Sequence, residues 1–302
     1  MAVTLEQAKL NVQDDLQLGV IDEFRKSTWL FDNLIFDDVV SATGGGATLT
    51  YAYTRLKTQP TAGFRNVNEE YATSEVEKQR FTADLKIFGG GFKVDRVIAN
   101  MGGIADEVAL QMAQKIKAAG ALFNDTVING DSAVDSKSFD GLEKALKGSS
   151  TEYKPAAAID LSTSEAVTKN FQAFLDALDE FLMTLDGKPS FIGGNTKLIA
   201  KLRACARRAG MYQVTKDSFG NQVESYGGIP FVDFGSKPGT NDDVVKTETT
   251  GETSLYAARI GLDGFHGISM AGQPPVKTWL PDFATAGAVK EGEVEMIAAV
   301  AL

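Results

Sequence analysis

One long helix that ends abruptly constrains this chain more than any other feature of its sequence. Its apolar residues recur at helical spacing, at Ile104, Val108, Met112, Ile116, Phe123 and Val127. A helix over about residues 103–129 would be roughly 40 Å long at 1.5 Å per residue, which is long for a globular protein. Asn129-Gly130 ends the pattern, and a run of Ser and Asp follows. The sequence therefore predicts a long rod with a polar break that carries no catalytic group.

Two long strands with an irregular tip are predicted before this helix. In 47-ATLTYAYTRL-56, apolar and polar residues alternate with the period of a strand. The return strand, 74-SEVEKQRFTADLKIF-88, places Phe81, Ala83, Leu85 and Ile87 on one face. The segment between them is polar and contains Pro60 and Gly63. A two-stranded ribbon is marginally stable alone, so we expect this one to lie against another surface.

The first residues carry a separate amphipathic stripe. Its apolar members follow intervals of seven and four, at Leu5, Val12, Leu16, Val20 and Phe24. The stripe is distinct from the next apolar cluster, which begins at Trp29. We interpret the segment as an arm that packs on something else. The alternative is a first helix docked on its own domain.

An α/β region is predicted after the break. A capping box at Ser162–Glu165 should begin an apolar-striped helix that ends by Gly187. A short buried strand, 189-PSFIGG-194, precedes a helix capped by Asn195. A hairpin around 219-FGN-221 and several closing strands follow. The outward face of the second helix carries a basic cluster, which we read as a solvated or partner-facing surface and, less favourably, as a nucleic-acid patch: Lys197, Lys201, Arg207 and Arg208.

The scarcity of reactive residues excludes several classes of enzyme. Cys205 is the single cysteine, so there is no internal disulfide, and its apolar helix face predicts a buried thiol. His266 is the single histidine and lies in a predicted strand. No nucleophile elbow, P-loop or dinucleotide fingerprint occurs. We interpret 44-GGGATL-49 and 89-GGGFKV-94 as turns or bulges, and Asp242-Asp243 as part of a solvated acidic face.

Net charge and hydropathy argue against nucleic-acid binding, membrane insertion and secretion. The formal net charge is −10, whereas a protein that binds through phosphate neutralisation is basic. No apolar run reaches the roughly 18 residues that a membrane span needs, and the first residues lack the pattern of a signal peptide. We therefore expect a protein that is cytoplasmic or is assembled in a cytoplasm, with no membrane association. No metal and no cofactor are expected.

The order of these elements resembles the major capsid proteins of tailed bacteriophages, whose fold was first described in the Hong Kong 97 phage. The break 125-DTVINGD-131, followed by 140-DGL-142, is similar to that family's junction between peripheral and axial domains. Residues 191–210 and 223–235, which include the Gly-Ile-Pro strand, are similar to its axial domain. The stretch 261–283 is similar to its late peripheral strands. Together these motifs extend over essentially the whole chain.

The resemblance implies an α+β fold with five parts. They are an N-terminal arm (1–32), a peripheral domain (33–46 and 82–150) with a spine helix over about 103–129, an extended E-loop ribbon (47–81), an axial domain (151–253), and closing strands (254–302) that return to both domains. Subunit contacts are expected from the ribbon, through Tyr51, Tyr53, Phe64 and Phe81, and from the arm, through Leu16, Val20 and Phe24.

The implied function is structural, not enzymatic. Such a chain self-assembles into hexamers and pentamers that form the icosahedral head of a tailed bacteriophage. The head encloses double-stranded DNA without sequence-specific contact. The implied location is the virion, after assembly in the host cytoplasm. Separate scaffolding, portal and decoration proteins are the further partners that the resemblance suggests.

Two departures from the family pattern and two alternatives remain at this point. The chain reaches the arm directly from Met1, so scaffolding is expected to be a separate protein or absent. The ribbon offers Lys57 for an isopeptide bond between subunits, but no asparagine follows Asn241, so we expect no autocatalytic cross-linking. One alternative is an encapsulin, a bacterial compartment of the same fold that encloses cargo enzymes. The other is an unrelated α/β enzyme or binding protein.

Overall fold

The protein has a mixed α+β architecture. A computed structural model describes residues 29–41, 48–100, 107–216, 222–272 and 274–302. The helices are α1 Trp29–Asn33, α2 Arg96–Asn100, α3 Glu107–Asn129, α4 Leu142–Leu146, α5 Ser164–Met183 and α6 Thr196–Arg208. The strands are β1 Phe36–Val40, β2 Thr50–Leu56, β3 Lys78–Asp84, β4 Lys86–Asp95, β5 Phe191–Gly194, β6 Gln213–Lys216, β7 Gln222–Tyr226, β8 Ile229–Asp233, β9 Tyr256–Ala258, β10 His266–Met270, β11 Val276–Trp279 and β12 Val289–Ala301.

The main sheet is built around the last strand, β12. The long strand β4 runs antiparallel along one edge of β12. Strands β11 and β10 share the opposite edge, and β1 adds to β10 in parallel. Alternate residues of β12 are buried from Gly292 to Ala298, because one face of the strand packs against the core. From Ala298 to Ala301 every residue is buried.

The long helix α3 packs on the buried face of this sheet. Its buried hydrophobic side chains are Met112, Ala119, Ala121, Phe123, Val127 and Ile128. The fully buried ring of Phe123 contacts the rings of Phe31, Phe36, Phe88 and Phe139 at centroid distances of 5.6–6.1 Å. The expected burial of Ile116 is wrong, since its side chain is 41% exposed. A cleft that it lines together with Phe31, Val276 and Met296 leaves it uncovered.

The helix ends at Asn129, as its sequence predicts, and the chain turns there into a tight junction. The amide of Gly141 donates a 2.8 Å hydrogen bond to the carbonyl of Gly130. A Cβ on Gly130 would lie 2.2 Å from the carbonyl oxygen of Phe139, and one on Gly141 would lie 2.7 Å from the amide nitrogen of Gly130. The two glycines are therefore required for backbone to pass directly against backbone.

Lysine and aspartate side chains brace the same junction on its surface. Lys144 Nζ lies 2.5 Å from Asp131 Oδ1 and 2.9 Å from Asp140 Oδ1. The two carboxylates also accept hydrogen bonds from the amides of Ala133 and Ser132. The polar break is thus an ordered connection with internal partners for its charged groups.

A second core lies between α5, α6 and a separate sheet of order β6-β7-β8-β5-β9. Asn195 caps α6 as predicted, because its side chain accepts a 2.8 Å hydrogen bond from the amide of Leu198. The predicted cap of α5 is wrong by one residue. Thr163, not Ser162, accepts the hydrogen bond from the amide of Ala166.

Three further expectations are corrected by the structure. Gly89–Gly91 lie inside β4 and do not form a turn, since a Cβ on Gly89 would lie 1.9 Å from the carbonyl oxygen of Val294 on β12. Ile87 does not share the covered face of Phe81, because the ladder with β2 stops at Asp84 and β4 starts anew beside β12. Residues 29–32 do not belong to an arm, because α1 buries Leu30 in the main core.

Several expectations fall outside the described residues. These are the arm residues Leu16, Val20 and Phe24, the turn at Gly44–Gly46, the first residues of the spine helix and the hairpin tip at Phe219–Asn221. They stay predictions. The two strands that flank the hairpin tip, β6 and β7, do pair antiparallel, with Lys216 opposite Gln222.

Candidate assembly surface

The ribbon is a two-stranded sheet of its own. Strands β2 and β3 pair antiparallel from Thr50 opposite Asp84 to Leu56 opposite Lys78. The pairing extends one step further, because the amide of Lys57 donates a 2.8 Å hydrogen bond to the carbonyl of Glu77. Neither strand takes a place in the ladders of the main sheet.

A row of aromatic rings stiffens one face of the ribbon. The ring centroids of Tyr51 and Tyr53 are 5.9 Å apart, and those of Tyr53 and Phe81 are 5.8 Å apart. The guanidinium of Arg55 lies 5.1 Å from the centroid of Phe81, which is within reach of a cation–π interaction. These contacts join neighbouring strands and give a short ribbon a defined face.

The base of the ribbon is fastened to the main sheet through Tyr51. Its hydroxyl donates a 2.9 Å hydrogen bond to Asp37 Oδ2 on β1 and lies 3.3 Å from His266 Nε2 on β10. Burial and the hydrogen bond to Asp37 raise the pKa of Tyr51 to about 12, so the hydroxyl stays protonated. The structure therefore gives Tyr51 partners within its own chain. Contacts of Tyr53, Phe64 and Phe81 with a neighbouring chain stay predictions.

The rest of the ribbon has no covering layer. Every residue from Thr54 to Arg80 is exposed. Large apolar side chains are among them, with Phe64 fully exposed and Val67 86% exposed. Lys57 and Glu77 approach to 3.6 Å where the strands end, and the guanidinium of Arg65 lies over the ring of Tyr71. The tip thus combines local order with unburied apolar surface.

A second uncovered surface is the outer face of the main sheet. Register places Glu291, Glu293 and Glu295 of β12 on the side opposite the core. Trp279 pairs with Glu293 and is 47% exposed, and Val289 is 55% exposed at the start of the strand. A row of acidic groups therefore lies on this face, with apolar side chains beside it.

The basic cluster of α6 is partly engaged within the subunit. Lys201 donates a 2.7 Å hydrogen bond to the carbonyl of Ser162, and Arg208 reaches the carbonyl of Ala204 and the hydroxyl of Ser164. Lys197 and Arg207 are exposed. The helix also contributes Arg203, which forms an ion pair with Glu224 and which the sequence did not single out. Part of the basic cluster is therefore held by contacts within the subunit, and part of it faces solvent.

The single cysteine of the chain lies in the second core. Cys205 is fully buried, as predicted, and burial raises the pKa of its thiol against the opposing charges of Arg208 and Lys201. Among the residues that the structure describes, no group of three His, Cys, Asp or Glu side chains is placed to hold a metal ion. In the same residues, no helix is long and apolar enough to cross a membrane.

Sequence reasoning missed the partners that fix the ribbon and the junction. Asp37 lies in a short strand and carried no signal of its contact with Tyr51. Lys144 follows Asp140 by four residues, a spacing that does favour an ion pair on a helix. Its second partner, Asp131, lies across the break and was not predictable from spacing.

Solved structures share this arrangement along the whole chain. A chain of the holo-SrpI encapsulin complex from Synechococcus elongatus PCC 7942 is 16% identical, with a TM-score of 0.64 over 100% of this chain and 92% of that one. A chain of the capsid of the native GTA particle is 16% identical, with a TM-score of 0.59 over 100% of this chain and 94% of that one. A structure from Mycobacterium phage Bobi is 14% identical, with a TM-score of 0.60 over 100% and 93%.

No protein-family model matches the chain, and no curated protein does. The likeness is therefore one of structure. It extends from the ribbon and the long helix to the second core and the closing strands, with more than nine-tenths of each of the three structures included. The chain has the α+β fold of the Hong Kong 97 type major capsid proteins.

Proposed function

We propose that this protein is the major capsid protein of a tailed bacteriophage. It assembles with itself into hexamers and pentamers that close into an icosahedral head around double-stranded DNA. The shared fold supports a shell-forming role, since the similar structures include an encapsulin complex and a GTA capsid. In this role the chain is a component of the virion.

The exposed ribbon is the observation that carries the proposal. A two-stranded ribbon is marginally stable without a surface to lie on, yet every residue from Thr54 to Arg80 is exposed. Phe64 and Val67 lie at the end of this ribbon, away from the contacts of Tyr51 at its base. A neighbouring copy that covers the tip would bury these side chains and link one subunit to the next.

A structural role without catalysis is part of the proposal. The single cysteine is buried, and the single histidine is hydrogen-bonded inside the fold. The lowered pKa values of Asp131, Asp140 and Asp263 arise beside Lys144 or Arg259 in surface ion pairs, which are structural contacts. The net charge of −10 supports enclosure of DNA without tight binding to it.

An encapsulin is the second candidate function. The TM-score of 0.64 to a chain of an encapsulin complex favours it as much as the phage structures favour a capsid. The two candidates differ in what the shell encloses. The uncovered ribbon is consistent with both, so the contents of the particle are the property to measure.

Electron microscopy of particles purified from the organism that encodes the chain tests the proposal. We expect closed shells, with DNA that resists nuclease until the shells are opened. The same nuclease treatment of opened shells is the matched control. Shells filled with protein and free of DNA would identify the encapsulin alternative. A persistent small oligomer in place of shells would contradict any shell-forming function.

A further inference from the structure

The single histidine of the chain lies buried where the ribbon meets the main sheet. His266 is only 4% exposed. Its Nδ1 lies 2.9 Å from the carbonyl oxygen of Gly264, and its Nε2 lies 3.3 Å from the hydroxyl of Tyr51. That hydroxyl in turn lies 2.9 Å from Asp37 Oδ2. The three contacts form a chain from β10 through the ribbon strand β2 to β1.

A count of protons distinguishes the charge states of this chain. Three hydrogen bonds need three protons, one for each contact. A neutral His266 supplies one ring proton and Tyr51 supplies one hydroxyl proton, so one contact is left without a hydrogen. Imidazolium supplies two ring protons and completes the set. Nδ1–H then donates to Gly264, Nε2–H donates to Tyr51, and the hydroxyl of Tyr51 donates to Asp37.

The groups that face the histidine come from several elements. From β1, the carboxylate of Asp37 faces the same hydroxyl and provides a counter-charge. From β2, Tyr51 contacts the imidazole ring edge-on at 5.8 Å, with Tyr53 stacked behind it. From β12, the residue opposite His266 is Ala301, whose side chain does not titrate.

The turn before β10 adds a pair of charges that neutralise each other. Arg259 and Asp263 form a 2.7 Å ion pair there, next to the Gly264 carbonyl that His266 contacts. Asp38, the other acid of β1, is exposed. Asp37 is therefore the acid joined to the histidine through one shared hydrogen-bond partner.

We propose that His266, Tyr51 and Asp37 form a proton-dependent latch that holds the base of the ribbon against the main sheet. Uptake of one proton by His266 closes the latch, and loss of that proton leaves one of its hydrogen bonds open. The ribbon base is therefore held more tightly at mildly acidic pH than at neutral or alkaline pH. The angle at which the ribbon leaves the sheet becomes sensitive to pH over the range in which histidines titrate, about pH 5 to 8.

The first test follows the histidine directly in the full-length subunit. Because the chain has one histidine, a ¹³C-labelled imidazole gives one resonance whose titration can be followed by NMR. If the latch forms, Tyr51→Phe and Asp37→Asn should each lower this midpoint relative to wild type, because each removes a partner of the charged ring. Asp38→Asn is the matched control, because it removes the same charge from an exposed position on the same strand, and it should leave the midpoint unchanged.

The second test measures the ribbon itself. Hydrogen exchange, expressed as protection factors that correct for the intrinsic pH dependence, should show the amides of β2 and β3 about two- to tenfold more protected at pH 5.5 than at pH 7.5, the size expected for one hydrogen bond. Tyr51→Phe keeps the ring but should abolish this difference. A histidine that does not titrate between pH 5 and 8, or a pH effect that persists in Tyr51→Phe, would overturn the latch. Both tests use the subunit alone, so they stand whether or not the chain forms a phage head.

Discussion

The side-chain amide of Asn129 donates a 2.8 Å hydrogen bond to the carbonyl oxygen of Val244, a residue 115 positions later in the chain. The same amide donates at 2.7 Å to Asp125 Oδ1, one helical turn earlier. The last residue of the long helix is thus joined to the loop that precedes β9. Both protons of one amide fix the end of the helix to this loop.

Replacement of Asn129 should destabilise the subunit through this contact. Asn129→Ala removes both donors and leaves the Val244 carbonyl without this partner, at a cost of about 1–3 kcal/mol. Asn129→Asp should cost more, because a carboxylate would face the Val244 carbonyl and Asp125. Thermal unfolding of the unassembled subunit measures both variants. Asn100→Ala, at an exposed helix end, is the control, and an equal loss in this control would contradict a specific role for Asn129.

The two glycines of the junction give a second prediction. Gly130→Ala places a methyl group where a Cβ would lie 2.2 Å from the Phe139 carbonyl, so we expect a loss of about 1–3 kcal/mol from displaced backbone. Gly63→Ala is the matched control, since a Cβ there meets nothing within 4 Å, and it should stay within about 0.5 kcal/mol. Denaturant unfolding of both variants decides the point. Equal midpoints would mean that the junction accommodates the added methyl group with little loss of stability.

Local patterns made much of the fold predictable from the sequence. The end of α3 at Asn129 and the cap of α6 at Asn195 depend on residues that are close together along the chain. The two ribbon strands are consecutive elements of the sequence, and each shows a strand pattern of its own. The error at the start of α5 has the same local origin. Residues 162–164 are Ser-Thr-Ser, and each hydroxyl satisfies the pattern of a cap.

Contacts between distant segments were not predictable. The sequence around Gly89 predicts a turn. Its place inside a strand depends on pairing with β12, which lies some two hundred residues later in the chain. Ile116 fits the apolar stripe of its helix, but its exposure depends on a cleft formed by α1 and the closing strands. The link between Asp37, Tyr51 and His266 likewise joins three strands, and no spacing in the sequence indicates it.

The brace around Lys144 should make stability depend on pH at both extremes. Hydrogen bonding to Lys144 lowers the pKa of Asp131. Burial acts to raise the pKa of Asp140, but hydrogen bonds from Ser132 and Lys144 outweigh it and lower that pKa. Hydrogen bonds to both carboxylates raise the pKa of Lys144. The carboxylate contribution is therefore present above the ordinary aspartate pKa of about 3.9 and is lost as pH falls below it. The lysine contribution is present up to about pH 10.4 and is lost above it.

Lys144→Met tests this dependence of stability on pH. We expect a lower thermal midpoint than wild type at pH 7, and a difference that shrinks as the pH falls below about 4 because the aspartates are then protonated in both proteins. Lys137→Met removes the same charge from an exposed position in the same loop and serves as the control. A difference between wild type and Lys144→Met that is constant from pH 2 to 7 would show that the ion pairs contribute nothing.

Cys205 should resist thiol reagents while the subunit is folded. Its side chain is fully buried, and burial raises the pKa of the thiol, which reduces the reactive thiolate fraction. We expect reaction with an aromatic disulfide reagent to be slow in buffer and fast in denaturant. The double variant Cys205→Ala/Val134→Cys moves the thiol to an exposed position and should react at once in buffer. Fast labelling of the folded wild type would mean that the second core opens readily.

The ribbon tip should serve association and not folding. The strands still pair at Lys57 and Glu77, so residues 58–76 can be replaced by Asn-Gly, which forms the type I′ turn that a two-residue hairpin favours. This deletion leaves the aromatic row and the Tyr51 contacts in place. Circular dichroism and thermal unfolding should therefore match wild type, because none of the removed residues is buried.

Assembly of the deletion variant should fail for an energetic reason. A ring such as Phe64 or Tyr71 can bury roughly 150–250 Å², which at about 25 cal/mol per Å² amounts to about 4–6 kcal/mol per ring before the costs of ordering. Loss of two rings at each contact is more than a weak interface tolerates. Counts of shells by electron microscopy measure the result. Phe64→Ser should weaken assembly in the same direction, and Val134→Ser, at an exposed apolar site outside the ribbon, should not. Normal shells from the deletion variant would place the contacts elsewhere, and an unfolded variant would mean that the tip contributes to the fold of its own chain.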